Sequence, residues 1–273
     1  MQHIELKPVG KSASRIGLGC ARLDGRAGMK RSAKLLETAL ELGINYFDVA
    51  SSYGNAEEAL GEVIGDMKEV VIATKVGPPR PGYSPAKAKL KELIRPAIDR
   101  AKVLKSLLSR AVNLQRSERN ARPRYDFTAQ TVERSLEESL RRLRRDRVDI
   151  LLAHEPHHDD LCPEISAGFQ SLVDQNRISA FGVGINAAED QWAPFGSIWQ
   201  SGWPDAEVSG YQQDVTYLFH GVLRNAQRDQ LDRTITPVAD LVRQALAARP
   251  ETMILVSAST PSRLRSLVEQ VDG

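Results

Sequence analysis

Apolar runs of strand length alternate with amphipathic stretches of helix length along most of this chain, and that alternation restricts its fold more than any other feature. Residues 15–19 (RIGLG) read as a strand, and residues 32–42 as a helix with Leu36, Ala39 and Leu40 on one face and Gly43 as a stop. A strand at 45–48 and a helix at 55–64 follow, then a strand at 69–75 (EVVIATK). After a long interruption the pattern resumes at Thr128, an expected N-cap, with Val132, Leu136, Leu140 and Leu143 spaced by four, four and three. Strand 148–153, helix 163–175 and strand 178–183 continue the series. Beyond it, 207–212 and 215–219 read as strands with no helix between them. Helix 235–248, strand 253–256 and helix 260–271 complete the chain. Uniformly apolar strands between helices predict a parallel sheet covered on both faces. Seven or eight such units in 273 residues fit a single-domain (β/α)8 barrel spanning residues 1–273 better than an open sheet. The expectation is a barrel shortened or irregular in its last third, with a long insertion at about 77–127, after the third strand.

That insertion is where the charge collects. The whole chain carries a net +2, but residues 80–124 hold thirteen Lys/Arg against three Asp/Glu, which is +10 and leaves −8 for the remainder. Loops of such length are commonly lids, binding segments or solvated excursions. An acidic partner or an anionic substrate fits the charge, whereas nucleic acid does not, because no aromatic interleaving or recognition motif accompanies it. Two cysteines, Cys20 and Cys162, make no disulfide framework. With no leader and no apolar run of membrane-spanning length, a reduced cytoplasmic protein is expected.

Chemistry gathers at the predicted strand ends. In a barrel of this kind, reactive groups sit at the C-terminal ends of the strands and in the loops that follow. Asp48 ends the second strand and Tyr53 lies in its loop; Lys75 ends the third strand and His154 the fourth. A Lys at the end of an apolar strand needs a partner, and Asp48 is the obvious one. A free phenol has a pKa of about 10, and a neighbouring ammonium lowers it. With a His to bind a carbonyl oxygen, the set suits protonation of that oxygen as hydride reaches carbon.

The segments FDVASSYGNAEEALGEVI, VVIATKVG, SLEESLRRLRRDRVDILLAHEP and ISAFGVG, in that order, resemble the aldo-keto reductase family. The resemblance is good over 12–78 and 125–186 and weaker beyond. It implies a (β/α)8 barrel that binds NADPH, with NADH as the alternative, without a dinucleotide fold. The segment GLGCARLDG indeed lacks the third Gly of a dinucleotide fingerprint. It also implies a catalytic tetrad at Asp48, Tyr53, Lys75 and His154, with Tyr53 as acid–base. Cofactor contacts are implied at Gly19, Cys20, Asp48, Gly184, Asn186, Gln212 (or Gln213), Ser257 and Arg263. The chain departs from the family at two places. Asn186 stands one position late after Gly182-Val183-Gly184-Ile185, and the tail VSASTPSRLRSL keeps only Arg263 cleanly. The implied activity is reduction of an aldehyde or ketone, with a small, anionic or sugar-like carbonyl substrate. The rival reading is a reductase-like barrel without redox activity that serves in binding or regulation.

The loop HEPHHDD (154–160) offers His and carboxylates, but no spaced metal-ligand set, and no metal is expected. Trp192, Trp199 and Trp203 either line a pocket or belong to a helix packed on the barrel. Tyr217, Phe219 and His220 are further candidates for the pocket wall. Oligomeric state has no sequence signal.

Overall fold

The computed structural model describes residues 1–23, 28–80, 123–186, 195–203, 214–222 and 238–272. The predicted strand at 207–212, Gln212, Gln213, Trp192 and most of the basic insertion lie outside them.

Eight parallel strands close into a barrel: β3 (Ile16–Gly19), β4 (Tyr46–Asp48), β5 (Val71–Val76), β6 (Val148–His154), β7 (Ile178–Gly184), β8 (Ile198–Gly202), β9 (Thr216–His220) and β10 (Met253–Val256), with β10 pairing back onto β3. The ring is therefore complete through the last third, where a shortened barrel was expected. The sixth barrel strand is β8, in a stretch whose tryptophans were expected in a pocket wall or a packed helix. Among the described residues the helices are α1 (Met29–Glu41), α2 (Ala56–Ile64), α3 (Ala129–Leu143), α4 (Pro163–Asp174), α5 (Val238–Ala248) and α6 (Pro261–Asp272). None of them is long and apolar enough to cross a membrane.

Alternation along the strands divides the apolar residues between two layers. Tyr46, Val71, Ala73, Ile150, Leu152 and Leu218 fill the barrel interior. Their strand neighbours, such as Ile72, Leu151, Val183 and Phe219, pack outward against Leu36, Leu60, Leu136 and Phe169 of the helices. The hairpin β1 (His3–Leu6) and β2 (Lys11–Ser14) was not anticipated. It closes the N-terminal end of the barrel, and Leu6 and Ala13 join the interior cluster.

Two glycines set how closely elements approach. A Cβ on Gly61 of α2 would lie 2.2 Å from the carbonyl oxygen of Arg142 on α3. One on Gly182 of β7 would lie 1.8 Å from the carbonyl oxygen of Ile198 on β8. Between α2, β5 and α3 runs a buried polar link. Thr74 Oγ1 donates to Glu57 Oε1 at 2.7 Å, and Arg142 Nε donates to Glu57 Oε2 at 2.6 Å. The expected α3 face is buried as read, with Val132, Leu136, Leu140 and Leu143 inside. Its capping differs: Thr128 makes no side-chain cap. Asp126 instead braces the entry to the helix, accepting from the Thr128 N–H at 2.9 Å and from Thr131 Oγ1 at 2.6 Å.

Candidate active site

Strand register assembles the mouth of the barrel. Gly19 lies beside Asp48, His154 beside Gly184, and Gly184 beside Gln200. Lys75 lies beside Leu152, an interior residue, so its side chain points inward. Its Nζ donates to Asp48 Oδ1 at 2.6 Å and to the Val49 carbonyl at 3.0 Å. Lys75 is 2% exposed and Asp48 4%. The pair therefore has the additional hydrogen bond that a buried ion pair needs to offset its desolvation. Above it, Lys75 Nζ stands 5.1 Å from the centre of the Tyr53 ring. The Tyr53 and His154 rings meet edge to face, 6.0 Å between centres at 87°. The four side chains singled out from the sequence thus come together.

Burial dominates the electrostatics. It raises the Tyr53 pKa; Lys75 opposes that and Asp48 adds to it, and the net direction is upward. The expectation that the ammonium would carry Tyr53 below its ordinary value is corrected: its influence has the expected sign, but burial is larger. Burial works against the Lys75 ammonium, yet Asp48 and then Tyr53 more than offset it, so its pKa rises. His154 is pushed down to about 3, first by burial, then by Lys75 and His220. At neutral pH the site therefore holds a phenol, an ammonium and an uncharged imidazole. Cys20 lies beneath them, fully buried; burial and then Asp48 raise its pKa well above the ordinary thiol value. Its Sγ donates to the Leu18 carbonyl at 3.5 Å.

The other residues named for cofactor contact are spread around the mouth. Ser257 Oγ donates to the Gly19 carbonyl at 3.1 Å. Arg263 is exposed at the start of α6, its Nη1 on Ser259 Oγ at 3.1 Å. Asn186 Nδ2 donates to Glu155 Oε1 at 2.5 Å. That bond supports a strained turn, because Glu155, directly after His154, holds a φ of 53°. On the sixth barrel strand it is Gln200 that faces the interior. It is 3% exposed, and its Oε1 has no hydrogen-bond partner among the described residues; His154 Nδ1 shares that condition. Gln200 has little signal in the sequence, because the tryptophans around it fit a pocket wall and a packed helix equally and the sixth-strand Gln was expected at 212 or 213. The available signal was period-two alternation, with Ile198 and Gln200 on the inward face and Trp199 on the outward one.

Trp199 belongs to β8 and packs against the outer core, as does Trp203, which meets Phe219 edge to face at 5.4 Å. His220 reaches the Ile185 carbonyl at 3.1 Å from its Nε2. In the loop after β6, Asp160 accepts from the His157 N–H, and Asp159 and Asp160 both meet Arg124. Among the described residues no group of three or more His, Cys, Asp or Glu could hold a metal ion.

The profile of the Aldo/keto reductase family matches residues 15–205. The chain is 30% identical over 157 residues to D-threo-aldose 1-dehydrogenase of a Pseudomonas species, a match covering 55% of this chain and 42% of that protein. It is 28% identical over 194 residues to aldo-keto reductase YhdN of Bacillus subtilis (strain 168), covering 67% of this chain and 46% of that one. These matches span less than half the length of the curated relatives. In fold it resembles the holo form of an aldo-keto reductase from Bacillus halodurans, with a TM-score of 0.69 at 18% identity, covering 100% of this chain and 91% of the other. With a family match over well more than half its length, a closed parallel barrel and this mouth, the chain belongs to the aldo/keto reductase family.

Proposed function

We propose that the protein is a nicotinamide-dependent carbonyl reductase in which Tyr53 is the general acid. The observation that carries this reading is the Lys75–Asp48 pair, bonded at 2.6 Å and buried beneath the Tyr53 ring, with an uncharged His154 across from it. The residues at the mouth also fit a nicotinamide. Gln200 Oε1 and His154 Nδ1 are polar atoms buried without partners among the described residues, which is costly unless a ligand completes them. A carboxamide N–H is the donor Gln200 lacks. Gly19 and Gly184 add no side chain to the floor. Arg263 is exposed at the start of α6, and a guanidinium there would suit the extra phosphate of NADPH, which supports NADPH, with NADH as the alternative.

When bound, the reduced nicotinamide supplies hydride to the carbonyl carbon. Tyr53 delivers the proton to the carbonyl oxygen, and its upward-shifted pKa keeps that proton on the phenol at neutral pH. The phenolate left behind faces the Lys75 ammonium, which Asp48 holds charged and in place. His154 donates one ring N–H to the same oxygen, adding no positive charge beside Lys75. The name of the Pseudomonas relative supports aldoses as the substrate class to try first.

Fluorescence titration with NADPH and NADH tests the cofactor reading. Micromolar binding is expected, and no binding at millimolar concentration would give the lead to a non-redox role. Turnover of aldoses and simple aldehydes tests the acid. Tyr53→Phe should lower kcat by about 100-fold or more with cofactor Kd nearly unchanged; a retained kcat removes Tyr53 from the mechanism.

A further inference from the structure

The turn that carries Tyr53 and the start of α2 that follows it are tied to β5 and the residues after it by three side chains. Ser51 Oγ donates to the Lys75 carbonyl at 3.3 Å. Thr74 Oγ1 donates to Glu57 Oε1 at 2.7 Å, deep in the core. Arg80 makes the third tie, at the rim. Its Nε donates to the Gly54 carbonyl at 2.9 Å, and its Nη2 pairs with Glu58 Oε1. Arg80 and Glu58 are both partly exposed, with side chains 25% and 31% accessible.

The two acceptors differ in kind, and that is the basis of the inference. Gly54 follows Tyr53 directly and holds a φ of 66°, the left-handed conformation that reverses the chain out of the turn. Glu58 lies in the first turn of α2. A guanidinium is a rigid planar fork, so engaging both at once fixes the turn relative to the helix. Tyr53 sits at that joint: its N–H donates to the Ala50 carbonyl, and its own carbonyl accepts from Ala56 N–H, the first residue of α2. We propose that Arg80 is a positioning residue for Tyr53, holding the turn so that the phenol stays over Lys75. The proposal rests on the reading of Tyr53 as the acid. It differs from a purely structural role because the two other ties, together with the core contacts of α2, hold the fold without Arg80. The removal of Arg80 should loosen the phenol and leave the barrel intact.

The test compares wild type with Arg80→Ala, Arg80→Lys and Tyr53→Phe, using NADPH and 4-nitrobenzaldehyde as the probe substrate. For Arg80→Ala we expect kcat to fall about tenfold or more, NADPH Kd to stay within about twofold, and Tm to stay within about 3 °C. Lys keeps the charge opposite Glu58 but gives up the fork, so Arg80→Lys should recover less than about a third of the lost rate. A readout independent of turnover is the phenol itself, titrated by ultraviolet difference against a matching Tyr53→Phe protein. Loosening removes burial, so the titration should move down toward about 10 in Arg80→Ala. If Tyr53→Phe is inactive while both Arg80 variants keep wild-type kcat and phenol titration, Arg80 has no positioning role and the reading of Tyr53 stands. A Tyr53→Phe that keeps its rate removes both. Were Arg80→Ala to lose Tm and NADPH affinity together, the tie would be structural, and Arg80→Lys would decide in a folded protein whether rate alone is lost.

Discussion

At neutral pH the ring of His154 carries no charge, and this gives the protein one definite source of sensitivity to acid. Its pKa is about 3 in the fold and about 6.5 in an unfolded chain. Between those values the unfolded chain takes up a proton that the folded one refuses. The contribution is fully present above about 6.5 and is lost as pH falls through that window, with a slope of at most about 1.4 kcal/mol per pH unit. Urea midpoints at pH 7, 5.5 and 4.5 should therefore fall more steeply for wild type than for His154→Asn; equal slopes would mean the imidazole is not held neutral by burial. Two other residues show what could be read beforehand. The Asp48–Lys75 pair was legible because an apolar strand ending in a charge demands a partner, and strand ends converge in a barrel. The direction of the Tyr53 shift was not, because the balance between burial and an ammonium depends on depth, and depth is a property of the closed barrel. Arg263 carries the prediction on cofactor preference. Arg263→Ala should weaken NADPH by about tenfold and leave NADH nearly unchanged. Equal losses for both would remove the phosphate contact.

Elements were legible where periodicity was strong and illegible where apolar content was thin. The strands at 148–153 and 178–183 run to within a residue of β6 and β7 because each is mostly apolar, broken by a single polar residue near its start, Asp149 and Ser179. β8 was missed because its five residues include Gln, Ser and Gly, all inward or close-packed, which interrupts the apolar signal. The same crowding makes a sharp test of β7. Gly182 and Gly184 lie two residues apart on one strand, yet a Cβ at 182 would meet a backbone carbonyl at 1.8 Å, whereas one at 184 would rest 3.4 Å from Lys75 Cε. A carbonyl in a paired strand cannot give way without parting β7 from β8. Gly182→Ala should destabilise by about 1–3 kcal/mol or more, and Gly184→Ala by less than about 1 kcal/mol. Denaturant melts of the two variants check this, and similar losses would mean β7 and β8 are not so closely apposed.

Across the whole molecule, stability and chemistry occupy opposite ends of the barrel. At the N-terminal end the hairpin seals the interior. Lys11 reaches the Lys68 carbonyl at 2.7 Å and pairs with Asp149 at 2.7 Å, and Asn45 binds the Ser12 carbonyl and the Ser14 N–H. Leu6 is fully buried there against the lowest interior layer. The hairpin was overlooked because four-residue strands around Pro8 and Gly10 carry little periodic signal, although the alternation in His3-Ile4-Glu5-Leu6 is present. The C-terminal end accepts the reverse arrangement: glycines on the floor, polar atoms without partners among the described residues and a strained turn at Glu155. Those features cost stability and are tolerated because the other end and the outer helix layer supply it. A substitution at the sealed end should therefore separate the two properties. Leu6→Ala should destabilise by about 2–5 kcal/mol through the cavity it leaves. At a temperature where the variant is still folded, its kcat and NADPH Kd should match wild type, because the strands between Leu6 and the mouth transmit no change of register. Denaturant melts, steady-state kinetics and a cofactor titration on the same preparation give these numbers. A kcat that fell in step with stability would mean the two ends are coupled through the interior layers, and the division of labour along the barrel axis would have to be abandoned.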